Sequence, residues 1–201
     1  MRLHTGFAIA LAWPQTLCKQ AGGWYDGFMN ILGISKNHYY KVGHAAVVLI
    51  EAKTEKCYYF DFGRYHTPYG YGRIRDAETD HDLLILTKAV VSASKSEILN
   101  INEIVTEIYN NSACHGTGRL HASYTNINFE KAYAYAKQMQ DKSPWEYGPF
   151  IWNGKNCSRF VRTIVLSGDP PIIDKLKIFM PFTVTAAPTG SVKSLKHKGY
   201  L

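Results

Sequence analysis

Cys157 opens a helix. In the run Asn156-Cys157-Ser158-Arg159-Phe160-Val161, Asn156 is a good N-cap, and Phe160, Val161, Ile164 and Val165 follow at helical spacing. Cys157 shares the face of Phe160, Val161 and Ile164, so its thiol is expected to point inward from the first turn. There the unpaired N–H groups and the helix dipole favour a thiolate, the form a cysteine nucleophile needs. The competing reading is a small core hydrophobe, which is how most cysteines behave. A partner stands earlier in the chain. Val42-Gly43-His44-Ala45-Ala46-Val47-Val48-Leu49-Ile50 is β-branched and nearly all apolar, as a buried strand must be, and His44 stands at its start. Core sheets pack against core helices, so a Cys at a helix N-terminus and a His on the adjoining strand supply the two parts of a thiol–imidazole pair.

Strand register supplies a third group. Cys57 to Phe62 reads as a second strand, joined to the first by the polar turn Glu51 to Lys56. If Glu51 pairs with Thr54 in an antiparallel hairpin, His44 falls opposite Asp61. If the loop slips by two, Asp61 is a diagonal neighbour on the same face, whereas a slip by one sends it to the other face. Two of these registers put a carboxylate where it fixes the imidazole tautomer and stabilises the imidazolium. The alternative is a strand-end Asp that caps the next loop. Should Asp61 face away, His66 and His81 are the next candidates. Cys18 is the rival nucleophile, in a Cys-then-His order, but the stretch between it and His44 is short for the helix and strands that must intervene. Cys114 and His115 are adjacent in a polar loop, and sequence neighbours point apart. The four cysteines, at 18, 57, 114 and 157, show no metal-ligand spacing, so no metal and no cofactor are expected.

The order of His-bearing strand, acidic strand residue and late Cys helix resembles the circularly permuted branch of the NlpC family of papain-like cysteine enzymes. That branch includes bacterial lipoprotein-type members and the lecithin–retinol acyltransferase-like proteins. The matching pieces are Gly43-His44-Ala45-Ala46-Val47-Val48, then Asp61, then Asn156-Cys157-Ser158-Arg159-Phe160-Val161; Gly6 to Trp13 is similar to the family's opening strand. The resemblance spans residues 5 to 166. It implies a papain-like fold with Cys157 as nucleophile, His44 as base and Asp61 in the third position. It also implies an upstream residue that helps to bind the oxyanion, for which Tyr147 is the candidate. Two departures stand out. The acyltransferase branch usually has a second His at the third position, where this chain has Asp61. The opening strand usually carries Gly-Asp, where this chain has Gly6-Phe7. The first departure argues against the lipid acyltransferase subgroup.

Around these groups the chain reads as one domain, 1–201, of α+β class, with an antiparallel central sheet packed against helices. Gly6 to Trp13 predicts the opening strand. Residues 15 to 40 predict a short helix and an aromatic loop holding Trp24, Tyr25, Phe28, Tyr39 and Tyr40. Leu83 to Val91 predicts a third strand, and Ser96 to Tyr109 and Asn128 to Met139 predict two helices before that of Cys157. Residues 168–201 read as an irregular tail. Residues 63 to 82 predict a long polar and aromatic loop. It follows Asp61 and is expected to overhang the site. Arg73 and Arg75 would there bind a substrate carboxylate or phosphate, and Tyr69 and Tyr71 would stack on a sugar or an apolar side chain. The alternative is a packed surface loop.

Composition bounds the reading. The 201 residues, 46% hydrophobic, suffice for one sizeable core. A net charge of +7 favours an anionic partner such as a membrane surface, a cell-wall polymer or nucleic acid. The basic residues are scattered, however, and their one local cluster, Lys193, Lys196, His197 and Lys198, reads as a solvated tail, so no specific nucleic-acid partner is expected. Zinc-finger, dinucleotide and P-loop patterns are absent, as are repeats. The run Phe7 to Trp13 is short for a secretory signal, Pro14 ends it, and no small-residue cleavage site follows. No run approaches the ~20 apolar residues of a membrane helix. The chain as it stands reads as cytoplasmic, a reading that a leader trimmed beforehand would void. The expected activity is that of a cysteine hydrolase, a peptidase or amidase acting on peptide or cell-wall peptide amides. A lipid acyltransferase or thioesterase, and a non-catalytic binding module on the same fold, are the alternatives.

Overall fold

β1 (Gly6–Trp13) alternates small and large residues. Ala8, Ala10 and Ala12 line one face, Phe7, Ile9, Leu11 and Trp13 line the other, and the whole strand is buried. A strand buried on both faces must lie inside a sheet that is covered on both sides. The structure is a computed structural model that describes residues 4–19, 27, 31, 35–36, 39–40, 43–148, 151, 154–179 and 188–200. The remaining strands are β2 (Cys18–Lys19), β3 (Ser35–Lys36), β4 (Tyr39–Tyr40), β5 (His44–Glu51), β6 (Cys57–Gly63), β7 (Tyr71–Arg75), β8 (His121–Ile127), β9 (Trp145–Glu146) and β10 (His197–Tyr200). The helices whose residues the structure describes throughout are α1 (Ile101–Asn110), α2 (Phe129–Asp141), α3 (Cys157–Ser167), α4 (Ile172–Phe179) and α5 (Pro188–Ser194). The main sheet runs β10-β8-β1-β5-β6-β7-β9, and each of its pairs is antiparallel. β2, β4 and β3 form a small separate sheet. The class is α+β, with helices packed on an antiparallel sheet.

The alternation in β1 decides which layer covers which face. Its alanines let α5 approach β1 closely while α3 lies chiefly over β5 and β6, and Ala8, Ala10, Ala12 and Ala45 share one core with Phe160, Val161, Ile164, Val165 and Val192. The large face, Phe7, Ile9, Leu11 and Trp13, meets Ile104, Val105 and Ile108 of α1 together with Leu83 and Ala89. Each buried Leu, Ile or Phe side chain contributes about 1.5–3 kcal/mol relative to exposure, so this two-sided core is what holds β1 and β5 in the centre.

The β5–β6 hairpin takes the slipped register. Ala46 pairs with Asp61 and Ile50 with Cys57. Glu51 bonds to Lys56 rather than Thr54, because a turn closes over residues 52–55 with Glu55 at φ 60°. Asp61 is therefore the diagonal neighbour of His44, on the same face.

Several elements differ from the sequence expectation. The predicted loop over 63–82 contains β7, which pairs Arg75 with Asp61 and Arg73 with Gly63 before Asp76 turns the chain by accepting from the Glu78 and Thr79 amides. Of the predicted strand Leu83 to Val91, Leu83 ends a 3-10 turn, Val91 makes one isolated antiparallel bridge to Ile98, and none of it joins the main sheet. Its amides at Leu86 and Thr87 go to the Glu107 carboxylate, and that at Val90 goes to Asn100 Oδ1. The true neighbour of β1 is β8, whose polar sequence hides it. α1 starts at Ile101, later than expected, whereas α2 starts beside the expected Asn128, which caps it by accepting from the Lys131 amide at 2.9 Å. The tail expected to be irregular holds α4, α5 and β10. Of the aromatic stretch over 15–40, Tyr39 and Tyr40 fall in β4, while Trp24, Tyr25 and Phe28 lie outside the described residues.

Candidate active site

Asn156 sets the start of α3. Its side chain accepts from the Arg159 amide at 2.8 Å, which makes Cys157 the first helical residue. The β5–β6 ladder, meanwhile, ends at Ala46↔Asp61. Past that point the His44 ring and the Ala45 N–H both act on the Cys157 sulfur and favour its thiolate. Side chains alternate along a strand, so Ala45 faces α3 while His44 shares the face of Ala46 and Asp61.

His44 is fixed from its other side. Its Nε2 lies 3.4 Å from Asp61 Oδ2 and 3.4 Å from the Tyr65 hydroxyl. The Trp13 ring stacks on the imidazole, with centroids 5.8 Å apart. Gly43 makes this entry possible. It sits at φ 77°, and a Cβ there would come within 2.8 Å of the Trp13 carbonyl oxygen. Cys157, His44 and Asp61 are 5%, 6% and 0% exposed, so their charges act on one another with little water between them.

Charge settles accordingly. Burial alone raises the Cys157 thiol, but the His44 hydrogen bond and charge, helped by the Ala45 N–H, bring it below its ordinary value. Burial likewise opposes a charge on His44, yet hydrogen bonds to Asp61 and Cys157 raise it to about 9. For Asp61 burial acts upward, and hydrogen bonds from His44 and Arg75 override it and hold the carboxyl at about 2. The balance favours the thiolate of Cys157 and the imidazolium of His44, beside the Asp61 carboxylate. Cys18, Cys57 and Cys114 go the other way, each pushed up to about 12 chiefly by burial. Cys18, the rival nucleophile, spends its thiol proton on the Gly43 carbonyl oxygen at 3.1 Å.

Residues 8–170 match the family described as type VI secretion system effector TseH-like. The chain belongs to that family. It superposes on the crystal structure of the type VI secretion system effector TseH with a TM-score of 0.60, over 94% of this chain and 87% of that one, at 16% identity. This likeness is one of fold, and the shared α+β arrangement is consistent with a papain-like fold. Among curated proteins none matches.

The remaining candidates of this TseH-like chain fall differently. Arg75, read as a substrate anchor, is 3% exposed and donates to both Asp61 oxygens, from Nε at 3.0 Å and from Nη2 at 2.6 Å. Arg73 grips Asp80 with both terminal nitrogens, at 2.7 and 2.8 Å, and gives its Nε to the Tyr65 carbonyl oxygen. Both arginines are thus engaged within the fold because β7 pairs with β6 instead of looping out. Tyr147, the oxyanion candidate, stacks on Phe62 with centroids 5.6 Å apart, and its amide bonds to Gly70. Tyr71 and Tyr69 are exposed. His66 and His81, the reserve partners, are not needed, because Asp61 already faces His44.

Sequence reasoning missed Tyr65, Tyr59 and Trp13. Tyr65 donates to Asp61 Oδ2 at 3.0 Å and Tyr59 at 3.2 Å. Tyr59 had a usable signal, since it stands two residues from Asp61 on the same strand face. Among the described residues, no group of three or more His, Cys, Asp or Glu side chains is arranged to hold a metal ion. No helix among them is long and apolar enough to cross a membrane.

Proposed function

We propose that the chain is a cysteine hydrolase, a peptidase or amidase, on a single permuted papain-like domain of the NlpC type. The observation that carries this reading is one buried cysteine at the start of α3, its thiolate favoured by the His44 ring, which is itself held by Asp61 at 3.4 Å. The Cys157 thiolate attacks an acyl carbon, forming the C–S bond and moving the carbonyl π pair onto oxygen. The Cys157 amide, at a helix start where N–H groups lack intrahelical partners, donates to that oxyanion. On collapse the amine leaves with the proton of the His44 imidazolium. Neutral His44 then takes a proton from water, and the hydroxide releases the acid and restores the thiolate. Asp61 orients the imidazole throughout.

The substrate class we assign is a peptide amide, as in cell-wall stem peptides. Tyr71 is exposed on the sheet face of Asp61 and would line the approach. The family description supports delivery by a type VI secretion apparatus, so the protein would act outside the cell that makes it rather than in that cell's cytoplasm. A second reading, hydrolysis or transfer of a lipid ester, is favoured by one feature. Ile172, Ile173, Leu176 and Phe179 of α4 are 57%, 63%, 59% and 49% exposed, an apolar stripe suited to a lipid surface.

Purified protein and Cys157→Ala should be compared on muropeptides and on phospholipid vesicles, with products read by mass spectrometry. Cleavage of a muropeptide amide is expected, falling by on the order of 10⁴-fold or more in the variant. Fatty-acid release without amide cleavage would move the assignment to the lipid reading. Equal, background-level turnover by both proteins on both substrates would leave a binding module.

A further inference from the structure

Asp61 Oδ2 is crowded with donors. It receives Arg75 Nη2 at 2.6 Å, the Tyr65 hydroxyl at 3.0 Å and the Tyr59 hydroxyl at 3.2 Å, while His44 Nε2 is the most distant at 3.4 Å. Arg75 Nε takes Oδ1 at 3.0 Å, so the guanidinium meets the carboxylate with both prongs of its fork. This pair is built into the sheet, since Asp61 and Arg75 face each other across β6 and β7. Arg75 is held in turn. Its Nη2 also donates to the Ala113 carbonyl oxygen at 3.0 Å, and the Tyr65 ring lies 3.4 Å from its guanidinium carbon, with His115 stacked on the far side of that ring.

We propose that Arg75 is a positioning residue that cancels the charge of Asp61, so that the third member of the site serves His44 as a nearly neutral hydrogen-bond acceptor. A bare carboxylate buried beside His44 would hold the imidazolium proton tightly, favouring the resting thiolate but hindering release of that proton to the leaving amine. The guanidinium, bonded to both Asp61 oxygens, offsets that pull and keeps the orientation. The titratable or charged groups around His44 are Cys157 from α3, Asp61 and Tyr59 from β6, Tyr65 from the loop after it, Arg75 from β7 and His115 from the loop after α1. Cys18 adds no charge while its thiol stays protonated.

The proposal rests on the reading of Cys157, His44 and Asp61 as one site, but its test needs no substrate. The His44 ring should be titrated by NMR in the wild type, Arg75→Met, Arg75→Lys, Asp61→Asn and the double variant Asp61→Asn/Arg75→Met. Arg75→Met should move the His44 midpoint up by about one pH unit or more, and Asp61→Asn should move it down by a similar amount. The double variant, which removes both charges, should return within about half a unit of the wild type. Arg75→Lys keeps the charge but loses the fork, so its midpoint should also stay near the wild type. A double variant that titrates like Asp61→Asn alone would overturn the proposal, because the Arg75 charge would then not be felt at His44. If Arg75→Met fails to fold, the double variant and Arg75→Lys decide the question, since neither leaves a lone buried carboxylate. Absent hydrolysis would refute the enzymatic reading and leave these titrations standing.

Discussion

Cys57 and Cys114 are as buried as Cys157, yet burial holds them protonated at about 12, while the His44 imidazole and the Ala45 N–H bring Cys157 down. The difference is a partner, not depth. Iodoacetamide at mildly acidic pH should therefore modify Cys157 before Cys18, Cys57 or Cys114, as read from labelled peptides by mass spectrometry. Cys18 labelled first would reverse the assignment of nucleophile. The pH dependence separates the roles further. Alkylation needs only the thiolate, so its rate should not fall on the alkaline side. Hydrolysis needs the imidazolium as acid, so kcat/KM should decline as pH rises through about 9, where His44 loses its proton. Stability carries the same signs. His44 is raised, so its contribution is whole below the ordinary histidine range near ~6.5 and is lost as pH rises through about 9. Asp61 is lowered, so its contribution is whole above the ordinary range near ~3.9 and is lost as pH falls through about 2.

Two elements, the β5–β6 hairpin and α3, do most of the positioning, and Asn156 fixes where α3 starts. Asn156→Ala would free the Arg159 amide and loosen the first turn, at a cost of about 0.5–2 kcal/mol. Thermal unfolding should show that loss, and Cys157 labelling at acidic pH should slow because the turn that presents the thiolate frays. Asn156→Asp, which can still cap, should stay near the wild type in both measurements. These are also the elements whose patterns the sequence displays openly. β1 and β5 are long apolar runs, α3 has a capped helical stripe, and a hairpin register is a matter of counting. The elements that sequence reasoning missed lack such patterns. β8 is His121-Ala-Ser-Tyr-Thr-Asn-Ile, whose polar residues are buried by its neighbours rather than by its own hydrophobicity. β7 has five residues and only three paired with β6. The segment over 83–91 does alternate, with Leu83 and Ala89 inward and Leu84, Leu86 and Val90 outward, but its amides go to side chains at Leu86, Thr87 and Val90 and to loop carbonyls at Leu83, Leu84 and Ala89 instead of to a neighbouring strand of the sheet. The true role of Arg75 was hidden for the same reason: without β7 there was no register to set it opposite Asp61.

Across the whole molecule, the C-terminal segment closes the fold on the side of the sheet away from β6. β10 extends the sheet at β8, and Asp174 of α4, 2% exposed, accepts from the Thr125 hydroxyl of β8 at 2.6 Å. Thr125 is itself 1% exposed, so this hydrogen bond pins α4 to the sheet out of contact with water. Asp174→Ala strands the buried Thr125 hydroxyl, at a cost of about 1–3 kcal/mol. For a domain of this size that should lower Tm by about 2–12 °C. Asp174→Asn keeps an acceptor and should lose less. One strand, β1, lies between β8, which bears Thr125, and the His44 strand. Neither substitution should therefore alter the pH dependence of Cys157 alkylation at 25 °C, where both proteins remain folded. A shifted alkylation profile in folded Asp174→Ala would show that the C-terminal segment tunes the thiolate and is more than scaffold. An unchanged profile with a lowered Tm is the expected result, because the site is held from within by β5, β6, β7 and α3.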